Sequence, residues 1–259
     1  LNTGRNGLAG VGTQTAALAF GGYAPSYTAI TESYDGTTWT EVNDMNTAKV
    51  TMGEAGTQTA ALGFGGNTAA DVNSALTETW NGTNWTEVND LNTGRRKIAG
   101  AGTNTAALAF GSGTPPPRQQ TESWNGTNWT NVNNMNTGRQ SLAGCGTNTA
   151  ALAFGGSPSG AVTELWNGTN WTEVNDLNTA MSELAGIGTQ TAALAFLSAN
   201  TETWNGTNWT ATTVLNTPRG DLAGSGTNTV GLAFGGQPSG ASTEEWNDPG
   251  TITKTITTS

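Results

Sequence analysis

A glutamate recurs at Glu32, Glu78, Glu122, Glu164, Glu202 and Glu244, and a cation at Arg5, Lys49, Arg95, Arg139 and Arg219, with Met181 in the sixth place. Carboxylates can act as general acids and bases or gather around a metal. Acid–base work needs two carboxyls whose environments push their pKa values apart, and six copies of one environment do not supply that. A carboxylate column facing a cation column instead suits a repeated charge-assisted contact, expected here as partly buried ion pairs that set register. Two further acids, Glu183 and Asp221, occupy a repeat position held elsewhere by Gly7, Thr51, Lys97 and Ser141. Flanking a cleft about 5–10 Å apart, such a pair could hydrolyse glycosidic bonds.

Other chemistries are poorly provided for. The chain has no His and one Cys, so the usual catalytic metal sites lack ligands and no intrachain disulfide can form. Cys145 falls in a column with Val11, Ala55, Ala101, Ile187 and Ser225, which reads as a core filler. There is no Ser-His-Asp set, phosphate loop or dinucleotide fingerprint, and neither metal nor cofactor is expected. A formal net charge of −10 with nine scattered cations lacks the basic footprint of a nucleic-acid binder and disfavours anionic membranes. The longest apolar run, AALAF, is too short to cross a bilayer, so no membrane insertion is expected.

The elements that must position these residues follow from an internal repeat. From its opening Thr to its closing Phe the unit spans 33 positions: Thr31 to Phe64, Thr77 to Phe110, Thr121 to Phe154, Thr163 to Phe196, and Thr201 to Phe234. Only the step from each Phe to the next Thr varies, at 11, 13, 11, 9, 5 and 9 positions. Each copy reads as four short strands. A Gly/Ala-rich strand suits a place where neighbours crowd the backbone, and the apolar TAALAF run ending in Gly-Gly reads as a strand buried on both faces. TExW and NWTEV form a hairpin through Asn-Gly, expected as a type I′ turn. Six antiparallel four-stranded sheets that must each cover two faces stack radially, which predicts an all-β, six-bladed β-propeller. The blades are expected at 1–44, 45–90, 91–134, 135–176, 177–214 and 215–259, as one domain, with the ring closed by blade-to-blade packing.

An apolar strand ending in Gly-Gly, a loop, Glu-x-Tyr/Trp, a Trp five positions on and then Met/Leu-x-x-x-Arg resembles the kelch repeat. The first copy, with ALAFGG, TESYDGTTW and EVNDMNTAK, is the closest to it. The chain departs by placing Trp80, Trp124, Trp166, Trp204 and Trp246 where the family has Tyr, with only Tyr34 keeping it. The resemblance covers all six copies and implies the fold. It implies no single function, since kelch-like propellers include oxidases, adaptors and lectin-like modules; a copper oxidase centre would need His ligands. The Thr/Asn-rich wording is also similar to repeat proteins of environmental bacteria and their phages.

Repetition moves the recurring residues into the scaffold. Glu32 and its five equivalents, Arg5, Arg95, Arg139 and Arg219, and the second Trp of each hairpin (Trp39, Trp85, Trp129, Trp171 and Trp209) are expected to pack and pair, although an exposed Trp pair could stack on sugars. The eight Asn-x-Thr sequons, such as those at Asn81 and Asn84, sit in the hairpin turns and follow from turn chemistry without glycans. The variable loops share one face with the links between blades. They carry Tyr23 and Tyr27, then Pro115, Pro116, Pro117, Arg118 and Gln119, beside the column containing Lys97, Glu183 and Asp221. Loops on a rigid frame are where function resides. The expectation is a non-catalytic recognition module for a surface glycan or protein, extracellular or virion-borne, and part of a larger chain or assembly. A structural spacer and a glycan hydrolase or lyase built on Glu183 and Asp221 remain the alternatives.

Overall fold

The computed structural model describes residues 1–69, 71–113 and 118–248, and the backbone of 254–256. It contains six antiparallel four-stranded sheets whose strands follow one another in sequence, interrupted only in blade two, where Asn67–Thr68 pairs with Lys49–Val50 as a separate two-stranded ribbon. Blade one comprises Ala9–Gly12, Ala17–Phe20, Thr31–Tyr34 and Trp39–Val42; blade six comprises Ala223–Gly226, Val230–Phe234, Thr243–Asn247 and Lys254–Ile256. The inner strands of neighbouring blades touch all the way round, blade six against blade one included. This is the six-bladed β-propeller, and no helix occurs among the described residues.

The Gly/Ala wording of the inner strand has a steric cause. A Cβ at Gly10, Gly144 or Gly186 would overlap the ring tip of Phe234, Phe110 or Phe154 of the preceding blade. The Phe that closes each apolar strand therefore reaches across the junction into space kept free by Gly. Core clusters lie between blades: Leu18 and Phe20 of blade one pack with Ala61, Trp80 and Trp85 of blade two. Both Trp of a hairpin are buried, as with Trp80 and Trp85 at 5.5 Å between ring centroids, so they form no sugar platform. The second Trp of each hairpin donates its indole N–H across the junction, Trp85 Nε1 to Thr31 Oγ1 at 3.0 Å.

The Glu and cation columns do meet, in five of the six blades, and the burial is complete where partial burial was expected. Lys49–Glu78 (3.4 Å), Arg95–Glu122 (2.8 Å), Arg139–Glu164 (2.8 Å), Arg219–Glu244 (2.9 Å) and the close Arg5–Glu32 pair all have side chains at most 1% exposed. Each carboxylate also accepts backbone N–H groups of the link that enters its blade, as Glu164 does from Asn136 (2.8 Å) and Thr137 (3.3 Å). The third strand thus clamps the incoming link, which fixes how one blade follows another. In blade five Met181 stands in the cation column, and among the described residues Glu202 is held by Asn178 and Thr179.

The hairpin turn differs from the type I′ expectation. Trp80 pairs with Trp85, leaving a four-residue loop in which only Gly82 has positive φ. Asn81 Oδ1 accepts the N–H groups of Thr83 and Asn84, both at 2.9 Å, so the Asn side chain replaces the backbone geometry that a two-residue turn would need. Asp35 does the same in blade one.

Candidate functional site

The links between blades and the second-to-third-strand loops lie side by side on one face. Asn6 pairs with Tyr23, Gln140 with Ser157, and Gly220 with Gln237, each joining a link to a loop. Where each link meets its inner strand, Gly7, Thr51, Lys97, Ser141, Glu183 and Asp221 surround the axis. Each donates its backbone N–H to the carbonyl of the equivalent residue one blade back. The bonds run Thr51 to Gly7 (2.8 Å), Lys97 to Thr51 (2.8 Å), Ser141 to Lys97 (2.9 Å), Glu183 to Ser141 (2.9 Å), Asp221 to Glu183 (3.1 Å) and Gly7 to Asp221 (2.9 Å). The belt closes on itself.

All six residues have φ between 51° and 63°, the left-handed region. Gly occupies it freely, whereas an L-residue pays on the order of 1–2 kcal/mol, most for a β-branched one such as Thr51. The chain uses Gly once in the belt and five different side chains otherwise. Belt geometry accounts for the left-handed backbone. It does not account for Thr, Lys, Ser, Glu and Asp where Gly would relieve the strain.

The belt rims an axial cavity of about 100 Å³ whose wall includes Met52, Ile98, Leu142, Leu184 and, deeper, Glu54. Lys97 Nζ lies 3.3 Å from Glu183 Oε1, an ion pair across the mouth between blades three and five, with both side chains at least one-third exposed. Burial, and then the charge of Glu183, push the Asp221 carboxyl above its usual range, while Lys97 opposes them. Glu54 takes a position that is Gly10, Gly100, Gly144, Gly186 and Gly224 in the other blades. Its side chain is half-buried in the cavity wall, and desolvation there pushes its carboxyl up to about 8. Its register partner is Gly63, where the other blades have Ala. Sequence reading passed over Glu54, although one carboxylate in a column of five glycines was visible.

The other predicted positions lie further out and in two groups. Tyr23 is 42% exposed and meets Tyr27 edge-on at 6.0 Å, and Tyr27 Oη accepts a 3.2 Å bond from Asn67 of blade two. Arg118 and Gln119 belong to blade three and lean on the link into blade four, where Gln119 Nε2 donates to Asn136 O at 2.9 Å. Pro115, Pro116 and Pro117 lie outside the described residues. The structure thus gathers Lys97, Glu183 and Asp221 at one mouth and leaves the tyrosines and the Arg118–Gln119 pair at separate blade junctions. Among the described residues no cluster of three or more His, Cys, Asp or Glu is arranged to hold a metal ion. Compared with protein-family models and with curated proteins, the chain matches none.

Proposed function

We propose that this propeller, kelch-like in its repeat, is a non-catalytic recognition module whose loop-bearing face engages a surface glycan or protein in an extracellular or virion-borne assembly. The belt carries the reading: one hydrogen-bonded frame of six residues displays five different side chains, all at a backbone conformation that favours Gly. A strained backbone retained with varied polar side chains is the pattern of a site maintained for what those side chains touch. Around it the unequal loops add Tyr23 and Tyr27, which give contact area at low entropy cost. A glycan array, with turnover checked on any hit, identifies the ligand. Joint substitution of Tyr23, Tyr27, Lys97 and Arg118 by Ala is expected to abolish that binding while leaving the circular dichroism spectrum unchanged. Unchanged binding would overturn the assignment of this face.

One observation favours a second reading, a glycan hydrolase or lyase. Glu183 is paired with Lys97, whereas Asp221 is pushed towards its neutral form, and unlike environments are what an acid and a base require. Turnover of an array hit that Glu183→Gln and Asp221→Asn each abolish would establish it.

A further inference from the structure

The axial cavity is layered, and its layers differ in chemistry. At the mouth stand the belt side chains, with Lys97 and Glu183 joined across it at 3.3 Å and Asp221 in their field. One residue further along each blade comes a collar with no polar member. Leu8, Met52, Ile98, Leu142, Leu184 and Leu222 all line the cavity, each between 4% and 8% exposed. Beyond the collar the inner strands present Ala and Gly, with Glu54 the one carboxylate lining the cavity at that level. Thr51 of the mouth and Glu54 are three residues apart, at most about 11 Å of extended chain.

Glu54 has nothing to pair with. Among the described residues no hydrogen bond or ion pair reaches its carboxyl, and desolvation is the one influence on its protonation. The strands packed against its own, Ala9–Gly12, Ala60–Phe64 and Ala99–Thr103, carry no titratable side chain. The charged groups that share the cavity with it are Lys97, Glu183 and Asp221 at the mouth. A carboxyl without a partner among apolar and backbone atoms costs free energy, and the other five blades avoid that cost with Gly. The cavity, at about 100 Å³, has room for several waters, so a slender chain can enter without parting the blades. An occupant has to suit an apolar wall along its length and a carboxyl at its end.

We infer that the axial cavity receives a primary ammonium on an unbranched aliphatic stem, the side chain of a Lys presented by a protein partner, with the stem against the collar and the ammonium donating to Glu54. This rests on the reading of the loop-bearing face as a recognition surface, and it selects a protein over a glycan as the ligand. A Lys stem buries readily along apolar surface while its head keeps polar company. At the mouth two carboxylates, Glu183 and Asp221, outnumber the one cation, Lys97, which draws in a cation and turns away an anion. Pairing with an ammonium favours the ionised carboxyl that desolvation disfavours. Below about pH 8 Glu54 therefore gives up its proton to solvent as the amine binds. Desolvating the ammonium offsets much of the attraction, so a small amine alone is expected to bind on the order of millimolar. The loops around the belt would supply the rest of a protein partner's affinity.

The test is calorimetric titration of the intact chain with n-butylammonium, n-butanol and n-butyrate between about pH 6 and 9, in buffers of different ionisation enthalpy. The amine is expected to bind one-to-one and to tighten about five- to tenfold per pH unit up to about 8, with little gain above it. Near neutral pH it should release close to one proton per site. Butanol keeps the stem without the charge and is expected to bind roughly tenfold more weakly above pH 8, with butyrate weaker still. Glu54→Gln keeps the size and removes the charge, so it should bind the amine no better than butanol and release no proton. No amine binding above pH 8, equal binding of butanol, or amine binding that Glu54→Gln leaves unchanged and Glu183→Gln abolishes would each overturn the assignment. Proton release and the butanol comparison are read on the parent chain, so they decide the matter even if a variant fails to fold. None of these titrations touches Tyr23, Tyr27 or Arg118, so failure here leaves the loop-bearing face to be judged by its own joint substitution.

Discussion

Blade five offers a natural control for the buried ion pairs, and it sets the expected cost of Arg139→Met. Arg139 is fully buried and donates to Glu164 Oε1 at 2.8 Å and to Ala153 O at 3.2 Å. Removing one partner of a buried pair ordinarily costs about 3–5 kcal/mol, because the surviving charge is stranded. Glu164 would not be stranded to that degree. It keeps Asn136 N (2.8 Å), Asn136 Nδ2 (2.9 Å) and Thr137 N (3.3 Å). Glu202 lives with that same set beside Met181, at 2.9, 2.8 and 2.8 Å, while only 1% exposed. What is lost is the charge-assisted hydrogen bond to Glu164, about 1.5–3 kcal/mol, together with the longer bonds to Ala153 O (3.2 Å) and Thr137 O (3.5 Å), partly offset by burying Met in place of a guanidinium whose desolvation already opposes its charged form. The expected loss is about 2 kcal/mol, read as a lower midpoint in urea with an unchanged slope, followed by Trp fluorescence. The reverse change, Met181→Arg, must desolvate a new cation to gain the same bond, and is expected to lie within about 1 kcal/mol of the parent. A loss above about 5 kcal/mol for Arg139→Met, or failure to fold, would show that Asn and Thr donors do not hold the carboxylate as blade five implies.

Two further outcomes follow from desolvation. Glu54 has its carboxyl raised from 4.5 to about 8, so the folded chain binds a proton that the unfolded chain has already released between those values. Its contribution is therefore fully present below about pH 4.5 and is lost as pH rises towards 8. Glu54→Gln should be increasingly more stable than the parent as pH rises from 5 to 8.5, by urea unfolding at each pH, and parallel pH curves would refute the assignment. Cys145 is buried with its thiol pushed up to about 12 by desolvation, so it should react with a disulfide reagent only as fast as the chain opens. Rapid labelling of the folded protein would contradict that placement.

Much of the fold was legible because the repeat obeys simple rules. The constant 33-residue spacing, the Gly-ended apolar run and the TExW hairpin each point to strands, and six copies of an open sheet leave few ways to cover both faces. The hairpin turn was not legible. Asn-Gly reads as a two-residue turn by backbone preference, and what decides otherwise is the Asn81 side chain bonding Thr83 and Asn84. The belt was half legible: the column Gly7, Thr51, Lys97, Ser141, Glu183 and Asp221 stood out by its variability. Its shared left-handed backbone did not, because nothing in Thr, Lys or Glu announces positive φ.

The exceptions to the repeat become informative only once register is known, because each is a change in a pair and not in a residue. Glu54 alone looks like drift in a glycine column, and Gly63 alone looks like drift in an alanine column. Paired across the first two strands of blade two, they describe one adjustment. Elsewhere the Phe of the preceding blade fills the space above the inner-strand Gly; here Phe20 comes within 2.9 Å of where a Gly63 Cβ would stand, so Gly63 makes the room that Glu54 has taken. The rigid unit defines what each position ordinarily meets, and here a departure from it at one position is answered by a departure at its register partner.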